Sequence, residues 1–205
     1  MKYIYLLFIL FLLSCKKKEG NFTLSGTITD KSFNTGLNEA TISLYQVKAT
    51  NNSLIFISSS TLDTDGKYSF VFKREMMDKY ILKISKPNYI NLEETIPFSS
   101  LDIENENIRN YSTSAKSWVR LKFFNLNPSD TDQLEFRKQN GNSNCEECLD
   151  TSKVTLFGSV DTSLIYLNDG NTPFSYLYSE IGTNNTGIKS AVTIPFDTTE
   201  IYLEY

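Results

Sequence analysis

The chain has 205 residues, 40% hydrophobic and 21% charged, which is enough apolar material for one large core or two small ones. Its 24 acidic side chains outnumber 20 basic ones, and setting aside residues 1–14, whose only charged side chain is Lys2, takes the formal charge from −4 to −5. That balance argues against a surface built for nucleic-acid phosphates. The absence of histidine removes histidine-based triads, the usual general base near neutral pH, and histidine-ligated zinc.

At the amino terminus, Met1 and Lys2 precede an apolar run from Tyr3 to Leu13, about half of the ~20 residues that span a bilayer. Such a run reads as the hydrophobic region of an export signal. It ends in Leu12-Leu13-Ser14-Cys15, which resembles the lipobox of bacterial lipoprotein precursors. The resemblance implies a cleaved signal over residues 1–14, a lipidated Cys15 and a tether over 15–20, with the membrane as a partner through the lipid anchor. A conventional secretory signal with a chance cysteine is the alternative. Several acyl chains hold firmly, because each buried methylene contributes roughly 0.8 kcal/mol. Lys16, Lys17 and Lys18 would lie near lipid headgroups. By analogy with lipoprotein sorting in two-membrane bacteria, Lys16 rather than aspartate after the cysteine points to the outer membrane, on either its periplasmic or its cell-surface face.

Strand patterns follow. Phe22, Leu24, Gly26 and Ile28 alternate with Thr23, Ser25, Thr27 and Thr29, a period of two that marks a half-buried strand. Ala40 to Tyr45 repeats the pattern, and Leu54 to Ser58 is rich in β-formers. Asp65-Gly66 supplies a turn before Tyr68 to Phe72, and Tyr80 to Ile84 follows a charged connection. Closing strands are expected over Tyr89 to Ile96 and Ile108 to Tyr111.

Gly26-Thr27-Ile28-Thr29-Asp30, Thr35-Gly36-Leu37 leading into Ala40-Thr41-Ile42, Thr64-Asp65-Gly66-Lys67-Tyr68-Ser69-Phe70, and Tyr80 to Lys86 with Tyr89 together resemble the carboxypeptidase regulatory-like domain, a transthyretin-like β-sandwich. The resemblance covers residues 21–113 and implies a packing module without a catalytic site. Two related chemistries do not transfer. Transthyretin-like hydrolases rely on histidines, and the lysine that pilin-type modules cross-link near their first strand is missing from Phe22 to Thr29.

A second sandwich is expected over residues 114–205. Val119, Leu121 and Phe123 share one face of its first strand, and Trp118, Arg120 and Lys122 the other. Further strands are predicted over Gln133 to Arg137, Lys153 to Val160, Leu164 to Leu167, Phe174 to Ile181, Ser190 to Ile194 and Glu200 to Tyr205. The fold class is thus all-β, two tandem antiparallel sandwiches, with one continuous β domain as the alternative.

Candidate sites are few. Cys145-Glu146-Glu147-Cys148 reads first as a loop disulfide in an exported chain. A metal site would need more ligands, and a redox pair would need positive neighbours where Glu146 and Glu147 stand. Asp63-Thr64-Asp65-Gly66 and Ser129-Asp130-Thr131-Asp132 read as turns rather than calcium loops, because neither has the full EF-hand spacing. Tyr166, Tyr176, Tyr178 and Tyr202 are the residues that could stack on a sugar, against half-burial in a sheet. No catalytic residue, metal ligand or cofactor motif is identified. The expected function is a non-enzymatic envelope lipoprotein that binds a protein or glycan, or acts as a scaffold. A carboxylate-dependent, glycan-active enzyme is the rival, and it would show two acidic groups ~5 to 10 Å apart in a cleft.

Overall fold

The computed structural model describes residues 20–205. The signal over 1–14, Cys15 and Lys16 to Lys18 lie outside the described residues. The chain is all-β and forms two tandem β-sandwiches, each with its own apolar core. One core draws on residues from Phe22 to Ala115 and the other on residues from Val119 to Leu203.

In the first sandwich, β1 (Asn21–Asp30) lies between β5 (Lys67–Lys73), which pairs with it antiparallel, and the short β8 (Asn107–Ile108) and β9 (Tyr111–Thr113), which pair with it in parallel. The two-residue β2 (Thr35–Gly36) pairs with the end of β1. The facing sheet has the order β4-β3-β6-β7, formed by Leu54–Thr61, Thr41–Val47, Lys79–Ser85 and Leu92–Pro97. The second sandwich repeats this arrangement. Its first strand β10 (Lys116–Phe124) pairs antiparallel with β13 (Asp161–Asp169) and in parallel with the last strand β16 (Thr198–Glu204). The facing sheet runs β12-β11-β14-β15, from Lys153–Phe157, Gln133–Asn140, Pro173–Glu180 and Thr186–Val192. In both units the first strand is central and the last closes in parallel beside it, and, β2 apart, the strands between follow one topology.

Alternation fixes which side of each strand is buried. In β5, Tyr68, Phe70 and Phe72 face inward between exposed neighbours, and in β10, Val119, Leu121 and Phe123 are fully buried. Aromatic clusters fill both interiors. Phe22 packs against Phe72, Tyr80 and Phe98, and Phe123 stacks on Phe136 at 4.8 Å with Tyr176 edge-on to both. Several strand boundaries differ from expectation: the strand expected over Tyr89 to Ile96 begins at Leu92, and Ile108 to Tyr111 is divided between β8 and β9. The run Lys153 to Val160 stops at Phe157, where Gly158 takes a φ of 67°, a left-handed backbone that does not continue a strand. The strand expected at Ser190 to Ile194 instead spans Thr186–Val192, because Gly187 lets the chain pass under the Tyr178 ring.

No free linker separates the sandwiches. Thr113, Ser114, Ala115 and Ser117 are all buried, and their backbone groups are shared between the two units. The carbonyls of Thr113 and Ser114 accept from Lys31 and Ile90, the Ala115 amide donates to Ser32 Oγ, and the Lys116 amide donates to the Asn88 carbonyl. From the other side, Gly170 donates to Ala115 and Phe196 to Lys116. Asn171 Nδ2 reaches across to the Ser32 carbonyl at 2.7 Å. Phe196 holds a φ of 65°, which costs a non-glycine residue about 1 to 2 kcal/mol. Its ring rests on Phe33 and Tyr89 of the first sandwich, at 6.1 and 5.5 Å. These contacts offset the strain.

The Tyr80 and Tyr176 hydroxyls are buried without a partner. Tyr80→Phe and Tyr176→Phe should therefore leave stability unchanged or raise it by about 1 kcal/mol, since each removes a desolvated hydroxyl and no hydrogen bond. Urea denaturation measures this, and a loss instead would expose a missed partner.

Burial, and secondarily the charge of Glu75, pushes the Tyr80 phenol up to about 12. Burial likewise raises Tyr68, Tyr89 and Tyr176. Phenols raised in the folded state contribute stability that is complete below the unfolded value of ~10 and is lost as pH climbs past it. The denaturation midpoint should hold up to about pH 9.5 and fall above 10, with a shallower fall in Tyr80→Phe.

Candidate functional site

Cys145 and Cys148 are disulfide-bonded in the loop between β11 and β12, with Cα atoms 5.2 Å apart. This loop is also held by Lys138, which is 4% exposed. Its ammonium donates to the Asn142 carbonyl at 2.6 Å, to Ser143 Oγ at 2.5 Å and to the Leu149 carbonyl. All three ammonium protons are used. Burial lowers the Lys138 pKa, and the Asp150 charge partly offsets the shift. The sequence shows Lys138 only as one charge at a strand end, without the loop that folds back over it.

The tyrosines do not form a surface platform. Tyr176 is 0% exposed and belongs to the second core, and Tyr166 and Tyr178 pack against that core from its edges. Burial therefore takes Tyr176 out of the expected glycan-stacking set Tyr166, Tyr176 and Tyr178, while Tyr166 and Tyr178 are half-buried. Inward alternation with Phe174 places Tyr176 and Tyr178 on the buried face of β14. Tyr202 alone of the candidates turns outward, 41% exposed.

The acidic turns are occupied by their own backbone. Asp63 Oδ1 accepts from the amides of Asp65 and Lys67. Asp132 Oδ2 accepts from Asn125 Nδ2 and the Ser129 amide, which hold its carboxyl below the usual range. Among the described residues, no group of three or more His, Cys, Asp or Glu is placed to hold a metal ion. Glu93 and Glu94 are adjacent carboxylates on β7, but Glu93 is exposed and paired with Lys83 at 2.8 Å, while Glu94 turns to the other face of the strand.

Five of the open hollows on the described surface are each lined by one carboxylate: Glu106, Glu135, Asp102, Asp169 or Glu75. The largest, about 650 Å³, lies over the outer face of β1 and β5 and is lined mainly by hydroxyl residues. A paired acid and base or nucleophile, which glycoside hydrolysis requires, is found in none of the five.

The most chemically distinctive surface is the outer face of the β13-β10-β16 sheet. Trp118, Arg120, Lys122 and Phe124 follow one another along the central strand, half-buried. Ile165, 55% exposed, stands opposite Arg120 on one side, and Glu200 and Tyr202 stand opposite Arg120 and Lys122 on the other. Arg120 pairs with Glu200 at 3.6 Å, and the Lys122 ammonium sits 5.6 Å from the centre of the Tyr202 ring. Tryptophan, tyrosine and arginine on a flat face are the side chains that dominate protein docking energetics.

No family model and no curated protein matches the chain. Among solved structures, a catechol 1,2-dioxygenase from Acinetobacter sp. ADP1 matches with a TM-score of 0.34 and 11% identity over 50% of this chain and 55% of its own. The chain thus spans about half the length of that enzyme chain. The Bacillus anthracis TIE protein gives a TM-score of 0.34 and 14% identity over 90% of this chain and 34% of its own. A minor pilin of Streptococcus agalactiae gives 0.32 and 13% over 89% and 94%. Similarity at this level assigns no activity to this chain.

Loss of the disulfide in Cys145→Ser/Cys148→Ser should cost no more than about 2 kcal/mol, because so short a loop gains little from closure. Lys138→Met leaves two carbonyls and a hydroxyl without their donor and should cost about 2 to 3 kcal/mol. Denaturant midpoints of the two variants give the ranking, and a larger loss from the cysteine variant would contradict it.

Proposed function

We propose that this protein is a non-enzymatic envelope lipoprotein, fixed to the outer membrane through Cys15, whose two joined sandwiches present a docking face to a partner protein. The observation that carries the reading is the outer face of β10 with its neighbours. A tryptophan, an arginine and a tyrosine lie on one outward sheet face, while each of the five surface hollows described offers a single carboxylate. Flat faces with aromatic and arginine anchors suit protein partners, and small-molecule sites are concave. Burial of Tyr176 removes the support for a sugar-stacking role of the β14 tyrosines. The same proposal takes residues 21–113 as a carboxypeptidase regulatory-like module, supported by the meeting of its motif residues Asp30 and Tyr89, and residues 114–205 as a second copy of that topology. Among the described residues, no helix is long and apolar enough to cross a membrane.

A photo-crosslinking side chain at Lys122, in the lipid-modified protein within its own envelope, should capture a discrete partner. Trp118→Ala/Tyr202→Ala should abolish that capture while leaving the circular dichroism spectrum unchanged. Undiminished capture by the double variant would rule this face out, and hydrolysis of envelope glycans by the purified chain would overturn the non-enzymatic reading.

A further inference from the structure

We propose that the end of the first sandwich where the described chain begins rests on the lipid surface, with Met76 at the apex of the β5–β6 loop seated among the headgroups. The proposal rests on the lipid attachment of Cys15. Only five residue steps separate Cys15 from Gly20, so an extended chain places Gly20 within about 18 Å of the acylated sulfur.

The fold decides which loops share that end. Arg74 donates its amide to the Gly20 carbonyl at 2.9 Å, and Lys73 stands opposite Asn21. Val47, Lys79 and Pro97 are in register at the same end, which brings the β3–β4 and β5–β6 loops and the turn after β7 together. The β5–β6 loop is pinned at its base, where the Asp78 amide donates to the Val47 carbonyl and the Phe98 amide to the Asp78 carbonyl. Its apex carries Met76, whose 94% exposure exceeds that of the other exposed apolar side chains, none above 68%. Leu54, 46% exposed, begins β4 at this same end.

Charge sets the tilt. Lys48, Lys73 and Arg74 are exposed around Met76 together with Glu75 and Asp78, and Gln46 donates to Glu75. Asp102, Glu104 and Glu106, all exposed, gather on the segment after β7. Against an anionic bilayer the loop bearing Lys73, Arg74 and Met76 turns down, and the acidic segment stands beside this contact, since Asp102 and Ile103 line one hollow with Arg74 and Ile103 lies against Gly20. Basic side chains near the surface attract anionic lipid, and a thioether side chain gains by leaving water at the interface.

Site-directed spin labelling of the lipid-modified full chain, in vesicles of phosphatidylethanolamine and phosphatidylglycerol, tests this. With Cys15 acylated and Cys145 bonded to Cys148, a new thiol is labelled selectively. At Met76→Cys, oxygen should relax the label more effectively than a water-soluble nickel chelate. At Asn184→Cys, at the far end of the second sandwich, the chelate should dominate. Vesicle-bound protein with a fully aqueous label at position 76 overturns this inference and leaves the lipid anchor standing. A chain that carries no acyl mass and stays out of the vesicle fraction overturns both.

Discussion

At the far end of β1 the carboxylate of Asp30 is 3% exposed, and two hydrogen bonds hold it there. Tyr89 donates its hydroxyl at 2.6 Å to one oxygen and the Ser32 amide donates at 2.9 Å to the other. A buried carboxylate is costly unless its oxygens are satisfied, so this small network fixes the turn after β1 in place. Ser32, set by that turn, then receives the Ala115 amide on its hydroxyl and the Asn171 side chain on its carbonyl. Tyr89 meets Ala115 through a β-bridge and Phe196 through its ring. The orientation of the second sandwich thus follows from a hydrogen bond inside the first.

That dependence shapes what the molecule can do. A buried, hydrogen-bonded connection holds these two domains, whereas domains joined by exposed linkers move. The chemistry that remains lies on fixed faces: the aromatic and cationic row of β10, the methionine-tipped loop beside Gly20, and the loop stapled by Lys138. The proposed lipid contact and the proposed docking face lie on different sandwiches, so the junction sets the angle at which a partner meets a surface-bound chain.

Strand faces were legible wherever a period of two was clean, as in Tyr68-Ser69-Phe70-Val71-Phe72 and Trp118 to Phe124. Tyr176 carried a readable signal as well, since it shares a face with Phe174 and alternates with Ser175 and Leu177. A sugar-facing role set that signal aside. A Cβ at Gly26 would run into the Arg109 carbonyl, a close approach that strand alternation alone does not announce. The partnership of Asp30 with Tyr89, 59 residues apart, leaves no trace in local pattern. The same holds for the shared topology of the halves, which arises from long-range pairing that no single strand encodes. Lys138 is invisible for a further reason, because its partners, two backbone carbonyls and the Ser143 hydroxyl, belong to a loop without periodic pattern.

The central claim is that the two sandwiches form one rigid unit through the Thr113–Ser117 connection. Pulsed electron resonance between labels at Ser59→Cys on β4 and Ser190→Cys on β15, both exposed, reads this directly. A single narrow distance distribution, which broadens when Tyr89→Phe unfastens Asp30, is the predicted result. A broad distribution in the otherwise unaltered protein would contradict the claim.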